Sequence, residues 1–283
     1  MKNLKGKTAV VTGAGSGIGR ALAQQLAGLG VNLALTDINQ SGLDDTMSLI
    51  SKEPIQARAY TVDVSSRQAV QDLADQVIRD LGSVDILINN AGVSSSGPVM
   101  DLSYDLLEWT ININLWGAIH GTKAFLPHLL TRPEAAVVNV SSVFGLMGIP
   151  GQAAYCTSKF AVRGFTESLR QEMFGTPVTV TVVFPGGVRT SIARNSRTDY
   201  DVGPELKELA IKSFEESAKT SPEQAATAII DGIRQKRPRV LIGKDARRMD
   251  RLARYAPNSF DRVIRRHINK SQAQSGQKKE QKY

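Results

Sequence analysis

The sequence predicts an α/β fold, a doubly wound parallel sheet of about seven strands in a single domain. Short β-branched runs alternate along the chain with longer stretches of helical periodicity. Several of these runs are apolar nearly throughout, as strands covered on both faces must be. Strand and helix in alternation, with no internal repeat and no linker between halves, build one parallel sheet through right-handed crossovers.

Strands are expected at 8–11, 32–36, 57–61, 86–88, 136–140, 178–184 and 239–242, and helices at 17–30, 43–51, 67–81, 106–130, 153–174 and 223–236. The segment 189–220 breaks the rhythm. It lacks strand character and contains a polar stretch at 194–201. It follows the sixth strand, on the side where open parallel sheets bind ligands, so it reads as a mobile substrate loop with short helices. Beyond Pro257, Phe260, Val263, Ile264 and Ile268 form an apolar stripe on a short basic helix, and 271–283 has the composition of a disordered tail. The expected division is a catalytic domain over 1–256 and a basic C-terminal helix and tail over 257–283.

The composition is ordinary for a soluble globular protein, 41% hydrophobic and 22% charged over 283 residues, enough chain to bury a substantial core. The one cysteine, Cys156, excludes an intrachain disulfide and suits a reducing compartment. The apolar run after the basic residues 1–7 covers only 8–11, too short for a secretory signal, and no run approaches the ~18 residues of a spanning helix. A cytoplasmic location is expected. The net charge of +8 is a property of one end: residues 236–283 hold fifteen Lys/Arg against four Asp/Glu, so the rest is slightly acidic. Nucleic-acid binding is not expected, because interleaved aromatic side chains are lacking. The basic end is compatible with a docked, solvated helix, a subunit interface or peripheral contact with an anionic membrane.

The first strand runs into Thr12-Gly13-Ala14-Gly15-Ser16-Gly17-Ile18-Gly19, a G-x-x-x-G-x-G spacing. Glycines there permit a tight turn and close backbone approach, and the following helix N-terminus presents free N–H groups to a pyrophosphate. The second strand ends at Asp37, eighteen residues after Gly19, with no Arg or Lys following. A carboxylate there accepts hydrogen bonds from adenosine ribose hydroxyls and repels a 2′-phosphate, which favours NAD over NADP. The third strand ends at Asp63-Val64, and the fourth runs into Asn89-Asn90-Ala91-Gly92.

Tyr155 and Lys159 lie four apart in a helical stretch, hence on one face and one turn apart. A free tyrosine has a pKa of ~10. Lowering it by ~3 units requires roughly 4 kcal/mol, within reach of a partly desolvated ammonium helped by an oxidised nicotinamide. Upstream, an apolar strand ends in Ser141-Ser142, thirteen residues before Tyr155 at the second serine. A sixth strand leads to Phe184-Pro185-Gly186-Gly187-Val188-Arg189-Thr190, and Asn114 sits on a long, otherwise apolar helix where a polar group needs a partner. Adjacent Ser141 and nearby Asn112 compete for the same roles. Spacing favours Ser142, and the following Leu115-x-Gly117 favours Asn114. Cys156 has no His or second Cys beside it and reads as packing.

In this order and over residues 7–243, the motifs Thr-Gly-x-x-x-Gly-x-Gly, Asn-Asn-Ala-Gly, Asn-Leu-x-Gly, Ser, Tyr-x-x-x-Lys and Pro-Gly-x-Val-x-Thr resemble the short-chain dehydrogenase/reductase family, in its single-domain branch. The resemblance implies a Rossmann-type domain and a catalytic set of Asn114, Ser142, Tyr155 and Lys159. In that set Tyr155 exchanges a proton with the substrate oxygen and Ser142 orients that oxygen. Lys159 lowers the tyrosine pKa and binds the nicotinamide ribose, and Asn114 holds a relay water. It places NAD contacts at Gly13, Ser16, Gly17, Ile18, Gly19, Asp37, Asp63, Val64, Asn90, Ala91, Gly92, Tyr155, Lys159, Pro185, Gly186, Val188 and Thr190, and implies a homodimer or homotetramer built on helices 106–130 and 153–174.

The expected reaction is hydride transfer between NAD(H) and a secondary alcohol or ketone, with no metal required. Val143, Phe144, Leu146, Met147 and Ile149 after Ser142, with Val99, Met100, Ile192 and Phe214 in rim segments, suggest an apolar substrate that is steroid-like, lipid-like or alicyclic; equally, they suit packing against a loop or subunit. Two other functions fit the same pattern. One is an NADPH-dependent 3-oxoacyl-thioester reductase, disfavoured by Asp37. The other is a non-catalytic NAD-binding regulator, disfavoured by the intact tetrad.

Overall fold

The computed structural model describes residues 1–199, 203–258 and 262. Among them, seven strands form one parallel sheet in the order β3-β2-β1-β4-β5-β6-β7. The strands are β1 (Thr8–Thr12), β2 (Asn32–Asp37), β3 (Ala57–Thr61), β4 (Ile86–Asn89), β5 (Ala135–Val140), β6 (Val178–Pro185) and β7 (Arg239–Ile242). Each lies within two residues of its predicted bounds. The order reverses between β1 and β4, and the crevice at their carboxyl ends is where an open α/β sheet receives a ligand.

Successive side chains of a strand point to opposite faces, and the core divides accordingly. Val11, Ile88 and Val138 face a layer made with Leu22, Leu26 and Ile229. Their neighbours Val10, Leu87 and Val137 face Val77, Phe125 and Leu169 on the other side. The first layer belongs to helices α1 (Gly17–Gly28) and α8 (Pro222–Arg234), with α2 (Gln40–Ile50) beside α1. The second belongs to α3 (Arg67–Leu81), α5 (Gly117–Leu130) and α6 (Ala153–Glu172). Helix ends follow local chemistry. Ser66 caps the Ala69 amide of α3, and Gly82 ends that helix at φ 76°.

Asp85 ties the edge of this core together. Its side chain is 1% exposed and accepts from the Thr8 amide (3.0 Å), Lys7 Nζ (3.3 Å) and Arg132 Nε (2.9 Å). Replacing it by Ala strips a buried amide and two cations of their common acceptor. We expect D85A to lose about 2–4 kcal/mol in urea unfolding, and a loss under 1 kcal/mol would contradict this account.

Three differences from the sequence reading have local causes. The helix expected at 106–130 is two helices, α4 (Tyr104–Ile111) and α5, joined by a π-helical turn at Asn112–Trp116. A single inserted residue widens one turn without disturbing the apolar pattern on either side, so periodicity cannot register it. The segment 189–220 contains a 14-residue helix, α7 (Pro204–Ser217), where only short helices are expected. Helix α9 (Lys244–Tyr255) is absent from the sequence reading because its apolar face is thin: Ala246, Met249 and Ala253 share one side among many charges, and only Ala246 and Asp250 are buried. The apolar stripe expected on Phe260, Val263, Ile264 and Ile268, and the tail 271–283, lie outside the described residues.

Candidate active site

The glycine-rich turn between β1 and α1 is shaped by what surrounds it. Gly13 and Gly17 adopt φ of 67° and 51°, conformations that favour glycine. A Cβ on Gly13 would stand 2.8 Å from Ala91 Cα, one on Gly15 2.9 Å from Asp37 Oδ2, and one on Gly19 would overlap the Gly13 carbonyl. Ser16 precedes α1 without a side-chain cap, so the first-turn amides of Gly17, Ile18 and Gly19 are left to other acceptors. Thr190 Cγ2 would lie 3.0 Å from a Cβ on Gly17, which brings the loop after β6 onto this turn.

The neighbouring strand ends are fastened to the same place. Asp37 Oδ2 accepts from the Gly15 amide (2.9 Å) and Oδ1 from Asn39 N (3.0 Å). Thr12 Oγ1 accepts from both Asn90 N and Ala91 N at 2.9 Å, while Asn90 Nδ2 donates to the Thr12 carbonyl (2.9 Å). Asp63 Oδ1 accepts from Ser65, and the Val64 carbonyl meets His120 Nδ1 at 3.2 Å. Val64 and Val188 are buried, so what they offer outward is backbone. Gly13, Gly15 and Gly19 therefore let the turn pack directly against the ends of β2 and β4 and on itself, beside a helix N-terminus with free amides and an acidic strand end. This is what a dinucleotide pyrophosphate and ribose need.

The second half of the site lies on α6. Tyr155 and Lys159 share one face, with Nζ 5.6 Å from the tyrosine ring centre and hydrogen-bonded to the Val140 carbonyl (3.1 Å). The Ser142 hydroxyl lies beside the Tyr155 phenol and favours its ionised form. It also accepts from Phe144 N (3.1 Å), capping a short 3-10 turn that holds it in place. Ser141 points the other way, as adjacent strand residues must, and donates to the Lys159 carbonyl (2.8 Å). Asn114 is buried in the π turn, whereas Asn112 is exposed. Asn114 Nδ2 donates to the Val93 carbonyl (3.0 Å) and Ser158 Oγ (2.9 Å), and Oδ1 accepts from Val93 N (2.8 Å). A Cβ on Gly92 would lie 3.1 Å from Asn114 Oδ1 and 3.2 Å from Lys159 Nζ, which puts the end of the β4 motif against both. Pro185 and Gly186 end β6, with Gly186 N bonded to the Ile242 carbonyl (2.9 Å).

The charges of this free site differ from the sequence expectation. Burial pushes the Tyr155 phenol up to about 12, against the lowering effect of the Ser142 hydroxyl. Burial also pulls the Lys159 ammonium down to about 8. Desolvation disfavours the charged form of each group. The Cys156 thiol is pushed up by burial too, which suits packing and not nucleophilic attack.

The apolar residues after Ser142 divide in two. Val143, Leu146 and Met147 are buried, with Leu146 packed against Val182 and Phe184, so of the two alternatives the sequence left open these three take packing. Phe144 meets Tyr155 edge-on at 6.0 Å, and Ile149, Ile192 and Phe214 stay partly exposed. Val99 and Met100 are open to solvent at 71% and 88%. Three rim segments are stitched by isolated bridges, Ser95 to Arg197 and Gly97 to Gln152, and Arg197 stacks on Trp109 at 4.0 Å. Sequence reasoning missed two supporting residues, Ser158 and Asn139. Ser158 links Asn114 to the Tyr155 carbonyl (2.8 Å), and Asn139 joins Asn89 (2.8 Å) to Thr166 (3.0 Å) beneath the site. A polar residue at an otherwise apolar strand position was the available signal for Asn139.

Residues 7–201 match the family described as short chain dehydrogenase. The chain is 43% identical over 266 residues to the Mycobacterium tuberculosis protein named "Putative oxidoreductase SadH", covering 93% of this chain and 96% of that one. It is 38% identical over 241 residues to epidermal retinol dehydrogenase 2 of Mus musculus, covering 83% and 73% respectively. A crystal structure of a short-chain dehydrogenase/reductase from Burkholderia phymatum in complex with NAD superposes with a TM-score of 0.80 at 31% identity, covering 89% and 94%. The chain belongs to the short-chain dehydrogenase/reductase family and is an oxidoreductase acting on CH–OH groups. No helix among the described residues is long and apolar enough to cross a membrane.

Proposed function

We propose that this enzyme interconverts an apolar secondary alcohol and its ketone with NAD(H), using Tyr155 as general acid and base. The observation that carries the reading is Tyr155 with Lys159 one helical turn behind it, Nζ 5.6 Å from the tyrosine ring centre, and Ser142 alongside, at the same strand ends as the glycine turn. NAD, when bound, supplies or accepts the hydride. Gly13, Ser16, Gly17, Ile18 and Gly19 would hold its pyrophosphate and Asp37 its adenosine ribose. Asp63, Val64, Asn90, Ala91 and Gly92 would flank the adenine and ribose, and Pro185, Gly186, Val188 and Thr190 the nicotinamide end. Tyr155 gives its proton to the carbonyl oxygen in reduction and takes it back in oxidation, and Ser142 shares the developing charge on that oxygen. The Lys159 ammonium, anchored by Val140 O, favours the phenolate and so opposes the cost of burial. Both Asn114 donors are spent on Val93 O and Ser158 Oγ. Its side chain thus holds the π turn, and a relay water would draw on main-chain groups there.

The partly exposed Phe144, Ile149, Ile192 and Phe214 favour an apolar substrate, in keeping with the apolar character, though not the primary hydroxyl, of the alcohol in the name of the retinol dehydrogenase relative. The test is turnover on a panel of retinoid, steroid, alicyclic and polyol alcohols with both cofactors. Preference for small polyols would sink the apolar reading, and preference for NADP would sink the role of Asp37. Asp37→Ser should weaken NAD use about tenfold and narrow the NAD/NADP ratio of kcat/KM, since it removes a charged acceptor and the repulsion of a 2′-phosphate. The same reading makes the enzyme a homodimer or homotetramer. Trp116 and Phe160, exposed at 46% and 41% on the helices involved, would be covered in it, and light scattering of the purified chain decides the point.

A further inference from the structure

Two consecutive glycines follow Pro185, although one would end the strand. The reason is a side chain from the far end of the chain. The Asp245 carboxylate, in the first turn of α9, occupies the space where a Cβ on Gly186 would sit. Its Oδ2 accepts from the Gly187 amide at 2.7 Å. The same carboxylate fills the space beside Gly243, which turns from β7 into α9 at φ 96°. Ala218 takes the space on the other side of Gly187, with its Cα 3.0 Å from where a Cβ would lie. Gly187 O accepts from Thr220 N (3.2 Å), and Arg189 N donates to Thr220 O (3.0 Å). The loop that leads from β6 to Val188 and Thr190 is therefore gripped on both flanks, by a backbone bridge on one side and by one carboxylate on the other.

Helix α9 is itself fastened to the sheet. Asp250 Oδ1 accepts from Arg239 Nη2 of β7 (2.8 Å) and from Arg254 Nε (3.2 Å), and Arg239 lies over the Phe184 ring at 5.0 Å. Both acids of α9 thus turn inward, one onto each end of the β6–β7 pair. A carboxylate in a helix's first turn is also favoured by the helix dipole, which helps hold Asp245 where it is.

We infer that Asp245 is a positioning residue for the nicotinamide half of the cofactor, acting through the amide of Gly187, and that α9 is part of the cofactor site. This rests on the reading that the 185–190 loop binds that half. A charge-assisted hydrogen bond from a carboxylate to a backbone amide is worth roughly tenfold or more in the equilibrium that holds the loop in one conformation, and binding to that conformation weakens by the same factor when it is lost. Asp245→Ala should weaken NAD binding at least about tenfold by fluorescence titration while leaving ADP-ribose, which lacks the nicotinamide, within about twofold. KM for NAD should rise more than kcat falls. Asp245→Asn, which keeps an acceptor oxygen of the same reach, should recover most of the NAD affinity. Should D245A fail to fold, Asp245→Ser, too short to reach Gly187 N, carries the same comparison. Unchanged NAD affinity, or equal losses for NAD and ADP-ribose, overturns the inference. A parent enzyme that binds ADP-ribose but gains nothing from the nicotinamide would instead overturn the reading of the loop on which the inference rests.

Discussion

Tyr155→Phe is expected to lower turnover by about 10³-fold or more, in both directions, while the dissociation constant for NAD stays within about twofold. The substitution removes one oxygen and keeps the ring, so the edge-on contact with Phe144 survives. What disappears is the phenol beside Ser142. Tyr155 is therefore separable from the fold: the variant should match the parent's thermal midpoint closely, since the cost of burying the hydroxyl is removed with it. Substantial residual turnover would place the acid/base elsewhere, and a parallel loss of NAD affinity would mean the phenol serves binding more than chemistry.

Lys159→Met carries the second large effect and a less intuitive one. Turnover should fall at least 10²-fold, because the phenolate loses the cation that opposes its burial. The ligand-free variant should nevertheless be no less stable than the parent at pH 7. Lys159 is 3% exposed, and its ammonium is pulled down to about 8 by desolvation alone. Its folded pKa lies below the unfolded value of 10.5. At pH 7 the parent bears the full cost of a buried charge, of the order of 3 kcal/mol, partly offset by the Val140 hydrogen bond that Met cannot make. Between about pH 8 and 10.5 the native state has released a proton that the unfolded state still holds, so the parent gains stability as pH rises. The stability difference between variant and parent should therefore shift in the parent's favour across that window. Urea unfolding of both proteins at pH 7, 9 and 10 measures it, and a difference independent of pH would refute buried-charge strain at Lys159.

These two residues also show where sequence reasoning stops. Their spacing placed them on one helix face, and Asp37, the glycine turn and the strand ends were all legible because each depends on a few consecutive residues. The π turn that buries Asn114 was not legible, since one extra residue leaves the apolar pattern on both sides intact. Whether Val143, Leu146 and Met147 line a pocket or pack was open in the sequence, because apolar character does not say which of two apolar surroundings a side chain meets; all three are buried. Helix α9 escaped notice for the opposite reason. Its apolar face is thin, Ala246, Met249 and Ala253 among many charges, and part of its hold on the sheet runs through Asp245 and Asp250.

By itself the sequence determined the alternation of strand and helix, the parallel sheet and the residue types gathered at its carboxyl edge, because periodicity and turn chemistry act over a few neighbours. Only the tertiary structure decided that Ser142 and not Ser141 faces the tyrosine, that burial raises the Tyr155 phenol and lowers the Lys159 ammonium, and that Asp245 fills the space beside Gly186. Each of these depends on the distance and desolvation of groups far apart in the chain, and no local pattern encodes either quantity.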